Sequence, residues 1–345
     1  MIFIKGLKMP RKITVSDLIK IVHDFAPPAL AYDWDNVGFL LGDASTPIKK
    51  ILLCLDITHQ CVDEAIRLGA NLIISHHPLI FRPIKKITNP LYLKLIKNDI
   101  SVICAHTNLD IAPDGVNYQL AKLFNLTNLE ILSASIGSEL FQVSVYSPPF
   151  AQEKLSQALL KNGAYNLHYC PIAGNIKIEC FCDSFKLNKI IAAIHKNHPE
   201  PEPVYAVYPQ KLTNTTYGMG VIGLLPKPIT IKDFALQTKE ILQAPALKVW
   251  LANKKPETFI QKLAVCGGSG SGLISSASNR SDLLLSGEFG YHSRLDSPLP
   301  LIEAGHFHTE YPVLTQLQKL LKKSDIDSLI LPRHLHETTT HTLYL

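Results

Sequence analysis

Long apolar runs are missing from this 345-residue chain; none approaches the roughly 20 residues of a membrane-spanning helix. The opening Met1-Ile2-Phe3-Ile4-Lys5-Gly6-Leu7-Lys8 has no signal-peptide apolar region, so a cytoplasmic location is expected, with no membrane partner. Tandem repeats and low-complexity tracts are missing too. There is no Gly-x-Ser-x-Gly elbow and no reactive cysteine context, which argues against a nucleophilic hydrolase. The glycine-rich Gly267-Gly268-Ser269-Gly270-Ser271-Gly272 lacks the Lys-Ser or Lys-Thr of a Walker loop, leaving a phosphate cradle or a tight turn. Net charge is only +5 and the basic residues are scattered, the densest stretch being Lys8 to Lys12, so nucleic-acid binding is not indicated. Cysteines number seven, an odd count, and Cys180-Phe181-Cys182 lacks the spacer of a zinc ribbon; small buried thiols in a reducing compartment fit best.

Hydrophobic residues make up 46% of the chain, enough for cores in two or three domains. Thr14 and Asp17 signal the start of a helix whose apolar stripe is Leu18, Ile21, Val22 and Phe25, stopped by Pro27-Pro28. Strand and helix patterns then alternate. Ile51 to Leu55, Leu72 to Ile74 and the Val102 run read as buried strands, separated by helices at Val62 to Leu68 and Leu91 to Lys97, with another helix at Val116 to Leu123. Such alternation predicts a parallel sheet covered by helices. Between Ile136 and Tyr217 a βαββαβ-like rhythm replaces it, with strands at Phe141 to Tyr146, Lys177 to Cys182 and Val204 to Tyr208 and helices at Gln152 to Lys161 and Asn188 to Lys196. After that the first pattern resumes through Leu263 to Cys266, Leu283 to Leu285, Leu301 to Ala304 and the helix Leu314 to Leu321. The expected fold is therefore an α/β core, residues 1–135 and 218–345, with a parallel-rich sheet, interrupted by a ferredoxin-like α+β domain at 136–217.

Chemistry-bearing residues gather where strands end, which is where open α/β sheets build their sites. His76 and His77 follow one buried strand, His106 and Asp110 another, and His306 and Glu310, four apart and so on one face if helical, a third. Imidazoles and carboxylates from three distant strand ends suit two divalent ions of the Zn, Fe, Mn or Co kind, with His76, His77, Asp110, His306 and Glu310 as the expected ligands. His106 and His308 are expected in supporting roles. Asp56 is either a supporting or substrate residue or a helix cap, and Glu288 and His292 can line the cleft. His334, His336 and His341 read as a solvated tail.

Five ordered motifs, Asp33-Trp34-Asp35-Asn36-Val37-Gly38-Phe39, Ser75-His76-His77-Pro78-Leu79-Ile80-Phe81, His106-Thr107-Asn108-Leu109-Asp110 with Gly115-Val116-Asn117, Cys266-Gly267-Gly268-Ser269-Gly270, and Gly305-His306 through Glu310, resemble those of the NGG-interacting-factor-three family, whose bacterial members are labelled GTP cyclohydrolase 1 type 2 homologues. The resemblance implies a dinuclear metal site at the five residues named above and a ring-shaped homo-oligomer, a hexamer. It also implies that the insert resembles the ferredoxin-like domain of longer members, from whose pattern this chain departs at His198-Pro199-Glu200-Pro201-Glu202-Pro203. A second departure is Glu288, where the pattern has Asp. Two functions follow as expectations. One is a metal-dependent hydrolase acting on a nucleotide or phosphate-containing substrate, with His106 or Glu288 moving protons; the other is a non-catalytic metal-binding scaffold or regulatory adaptor.

Overall fold

A computed structural model describes residues 12–134, 139–213 and 216–336. The opening segment, most of the basic stretch from Lys8, the boundary near Ile136 and His341 lie outside them. By its contacts the chain divides into two compact units, Met1–Ser133 with Met219–Leu345, and Ala134–Gly218.

The larger unit holds two sheets rather than one. The first has the order β1-β4-β3-β2-β15, from β1 (Gly38–Leu41), β2 (Ile51–Cys54), β3 (Leu72–Ser75), β4 (Ser101–Cys104) and β15 (Ser328–Ile330). Strands β15, β2, β3 and β4 run parallel, and β1 runs antiparallel along β4. Every residue of β2, β3 and β4 is buried, which is why these segments are uninterrupted apolar runs: helices cover both faces of a parallel sheet. The helix His59–Leu68 starts where the Thr58 hydroxyl accepts the Cys61 amide at 3.1 Å, and it stops at Gly69 in a left-handed conformation.

The second sheet has the order β11-β14-β13-β12-β10-β5, from β5 (Thr127–Ala134), β10 (Gly218–Thr230), β11 (Lys248–Trp250), β12 (Phe259–Ser269), β13 (Leu283–Glu288) and β14 (Leu301–Glu303). Its middle strands β12, β13 and β14 are parallel, while β10 runs antiparallel to β12 and β11 antiparallel to β14. Phe234, Leu283, Leu285 and Ile302 build the core on one face, with Phe124 packing against Phe234 at 5.3 Å between ring centroids. No helix among the described residues is long and apolar enough to cross a membrane.

The smaller unit is an antiparallel sheet of order β7-β8-β6-β9, from β6 (Glu139–Ser147), β7 (Tyr165–Ile172), β8 (Asn175–Asp183) and β9 (Tyr205–Thr213). With helices Gln152–Lys161 and Ser184–Asn197 between its strands, this is the ferredoxin-like arrangement. Cys180 and Cys182 lie in its apolar core, where burial pushes their thiols up to about 12 and about 11. They pack as small apolar side chains and belong to none of the groups among the described residues that could hold a metal ion. His198 is fixed in the same unit, its Nε2 2.8 Å from the Tyr146 carbonyl.

Strands β5 and β10, on which the insert begins and ends, are neighbours in the second sheet. Cutting out residues 134–218 and joining the ends by a short turn is expected to leave a folded core, because closing so small a loop costs little. Circular dichroism and a single cooperative melt of the shortened protein check this; a soluble product without a melting transition contradicts it.

Candidate metal centre

The parallel strands of the two sheets deliver their carboxyl ends to one place. His76 and His77 follow β3, and their amides extend the ladder, donating to the carbonyls of Cys54 at 3.1 Å and Leu55 at 2.9 Å. Asp110 stands on the short helix Thr107–Ile111 after β4, and His306 and Glu310 on the short helix His306–Glu310 after β14. Asn117 clamps the two sheets around this point, its Nδ2 donating to the Asp110 carbonyl at 2.8 Å and its Oδ1 accepting the Gly267 amide at 2.9 Å.

Glu310 is the centre of the cluster. Its Oε1 lies 3.0 Å from His306 Nε2 and 3.6 Å from His76 Nε2, and its Oε2 lies 3.1 Å from His77 Nε2. Asp110 Oδ1 is likewise 3.6 Å from His76 Nε2. Three sets of residues can each hold a metal ion: His77, His306 and Glu310; His76, Asp110 and Glu310; and His76, His77 and His106. All five residues expected as ligands thus come together, with His106 at the edge.

Fit to an ion is testable from unmatched atoms. His76 Nε2, Asp110 Oδ1 and Glu310 Oε2 are buried and have no hydrogen bond of good geometry, although buried polar atoms are nearly always paired. Four donors around one ion at 2.0 to 2.1 Å are about 3.4 Å apart, an edge length close to the separations given above. The two 3.6 Å separations at His76 are longer than hydrogen bonds and close to that edge length, whereas the 3.0 and 3.1 Å separations of His306 and His77 from Glu310 are also hydrogen-bond distances.

Each imidazole is aimed by an oxygen behind it. His77 Nδ1 meets Asp56 Oδ1 at 2.7 Å, His76 Nδ1 the Ala105 carbonyl at 2.9 Å, His106 Nδ1 Asp35 Oδ1 at 2.9 Å, and His306 Nδ1 Glu288 Oε1 at 3.3 Å. Where these oxygens accept, at His76, His77 and His106, Nδ1 carries a proton, and Nε2 is left facing inward, to present its lone pair once an ion displaces any proton there, the arrangement that orients metal-bound histidines. Asp56 therefore supports His77 and caps no helix, that role falling to Thr58. Glu288 takes the place behind His306.

Charge follows geometry. Burial alone would push His77 down, but hydrogen bonds to Asp56 and Glu310 carry it up to about 10. His306 behaves alike: burial is outweighed by Glu310, and it rises to about 9. His76 is also raised, its burial offset by Glu310 and Asp110. Glu310 is buried, which alone would raise it, yet His76, His306 and His77 hold it well below the usual carboxylate range. Asp110 is pushed up, by burial and then by the charge of Glu310. Asp35 falls to about 2, because hydrogen bonds from His106 and Thr107 outweigh its burial.

The glycine-rich loop is a back wall. A Cβ on Gly268, whose φ is +63°, would lie 2.3 Å from Glu310 Oε1, so only glycine lets the chain pass under that carboxylate. Amides of Gly267, Gly268 and Gly270 are donated to Asn117, Thr309 and Glu288, so these three are not offered to a phosphate. Of the remaining expectations, His292 is exposed beside Tyr291 and His308 packs on Phe307, both outside the three sets. His336 corrects the solvated-tail reading: it is fully buried against Phe307 and Tyr311, and burial lowers it to about 4, whereas His334 is exposed. Asp35 was named only within a motif and not as a site residue. It lies 71 positions from His106, and only the polar Asp33-Trp34-Asp35-Asn36 cluster signals it.

The family model described as Duf34/NIF3 (NGG1p interacting factor 3) matches residues 13–334. A Halalkalibacterium halodurans protein named GTP cyclohydrolase 1 type 2 homolog is 32% identical over 360 residues, covering 92% of this chain and 96% of that protein. A Bacillus cereus protein described as related to NIF3 has a crystal structure that superposes with a TM-score of 0.83 at 31% identity, covering 97% of this chain and 100% of that one. A Staphylococcus aureus crystal structure gives 0.74 at 29% identity, covering 97% and 99%.

Metal-free protein should lose stability as pH rises from 6.5, the ordinary histidine value, toward about 9. Across that window folded His77 and His306 keep protons that the unfolded chain has released, and the state holding more protons is disfavoured as pH rises. Metal affinity should move the other way, because an ion must displace those protons. Thermal melts with and without a chelator check both; metal-free stability that rises with pH contradicts the assignment.

Proposed function

The chain belongs to the Duf34/NIF3 family, and from that premise we propose that His76, His77, Asp110, His306 and Glu310 bind two divalent ions, of the Zn, Fe, Mn or Co kind, and that the protein is a metal-dependent hydrolase of a nucleotide or other phosphate-containing substrate. The observation that carries the proposal is the set of inward-turned Nε2 atoms around one buried carboxylate, each imidazole braced at Nδ1. Glu310 belongs to two of the sets and would be shared between them: His77 and His306 complete one, His76 and Asp110 the other. When bound, two such ions lower the pKa of a water and polarise the oxygens of a phosphate or amide-like group.

The remaining work belongs to the chain. Asp56 and Glu288 sit at Nδ1 of His77 and His306 and so turn Nε2 toward the centre, where an ion would displace its proton. Asp35 does the same for His106, whose Nε2 takes up and returns a proton at the edge of the centre. The Gly268 backbone keeps water from the back of Glu310. A nucleotide is supported by the name of the Halalkalibacterium halodurans relative, which states a GTP cyclohydrolase homology.

Elemental analysis of metal-supplemented protein should find two ions per chain, with at least one lost in His77→Ala and Glu310→Ala variants that still fold. Asp56→Ala should weaken binding by about 10 to 100-fold. In the wild type, hydrolysis across a panel of nucleotides including GTP should require metal and fall in Asp110→Asn. Fewer than one ion per chain overturns the centre; two ions without Asp110-dependent turnover leave a metal-stapled scaffold in place of the hydrolase.

A further inference from the structure

An aromatic rim beside the centre has no part in the chemistry above. Trp34 is 58% exposed and Phe81 50% exposed, with ring centroids 5.8 Å apart, and Tyr32 stacks on Trp34 at 5.7 Å and 22°. The Trp34 ring meets His106 edge-on at 6.3 Å, and His106 in turn lies 5.3 Å from His76 and 5.5 Å from His77. Single exposed apolar side chains are ordinary, whereas adjoining aromatics left in water beside a polar cluster mark a place where something binds.

The rim is also held in place. Asp35 Oδ2 accepts the Thr107 amide at 3.0 Å and the Thr107 hydroxyl at 2.5 Å, while that hydroxyl oxygen accepts the Tyr32 amide at 3.1 Å. Asn36 Nδ2 donates to the Ile80 carbonyl at 2.5 Å, which ties the Trp34 loop to the loop carrying Phe81. Since Asp35 also braces His106, one carboxylate sets both the imidazole at the edge of the centre and the indole beside it. Ordering of this kind lowers the entropy lost when a ligand docks.

We propose that Trp34, Phe81 and Tyr32 form a stacking shelf for a planar heteroaromatic ring whose polar substituent reaches the metal centre. The inference rests on the proposed function and adds to it what the substrate must carry. His106 touches the Trp34 ring on one side and the rings of His76 and His77 on the other, so a ring stacked on the shelf would lie beside the centre. A sugar phosphate alone would need charge and hydrogen bonds, which the centre already offers. Aromatic faces add recognition of a π-face.

The test uses the full chain, metal-loaded and metal-free. The protein has two tryptophans, so Trp250→Phe makes Trp34 the sole fluorescent reporter. GMP should quench Trp34 saturably and ribose 5-phosphate should not. By calorimetry Trp34→Ala should weaken GMP binding about tenfold or more, with ribose 5-phosphate unaffected, and Trp34→Phe should restore most of the loss. Equal quenching by both probes, or GMP binding indifferent to Trp34→Ala, overturns the shelf. So does a Trp34 shielded from acrylamide in an assembly that Trp34→Ala dissociates, which would make the rim a contact between copies. Ring-dependent quenching in either metal state supports it. Metal content read on the same samples keeps the inferences apart: an empty centre overturns the proposed function, and a filled centre without ring-dependent quenching overturns the shelf alone.

Discussion

Glu310 carries a carboxylate into the interior, where it is 3% exposed, and burying such a charge is costly unless positive charge and hydrogen bonds surround it. Three imidazoles supply that surrounding, and their own burial makes each a poor cation unless Glu310 is ionised. Each charge is thus tolerable only because of the others. Without a metal, protons fill the role; with one, the same atoms become ligands. Asp56, Asp35, Glu288 and the Ala105 carbonyl then decide which nitrogen of each ring faces inward.

Much of the larger unit follows from having to assemble this cluster. Parallel strands deliver histidines and carboxylates at their carboxyl ends, and two sheets are needed because His76, His77 and Asp110 come from one and His306 and Glu310 from the other. Asn117 joins the two by side-chain hydrogen bonds, and Gly268 lets the second sheet approach Glu310 closely. A single side chain at position 268 would displace the carboxylate on which the rest converges.

The strands of the parallel cores were legible because full burial on both faces leaves an uninterrupted apolar run, as in Leu72-Ile73-Ile74. The five expected ligands were legible for a related reason, since a histidine or carboxylate directly after such a run must sit at a sheet edge. What escaped was mostly non-local or exposed, the exception being β10, whose buried Val221 and Ile222 lie between Gly220 and Gly223. β7 shows almost no burial, so its sequence carries no period, and β1 is a short strand paired antiparallel at the sheet edge. The division of the larger unit into two sheets depends on which strands pair, which hydrophobic pattern does not encode. Asp35 and the buried His336 owe their roles to partners 71 residues away and to a ring packed between Phe307 and Tyr311, neither visible in local sequence.

The unpaired atoms of His76, Asp110 and Glu310 are expected to surround ions. Anomalous diffraction from crystals grown with manganese or zinc, recorded on both sides of the metal absorption edge, addresses this directly. Two peaks are expected, one among His77, His306 and Glu310 and one among His76, Asp110 and Glu310. A fully supplied crystal with no peak there, or with its only peaks at residues outside this cluster, would mean that these atoms hold no ion.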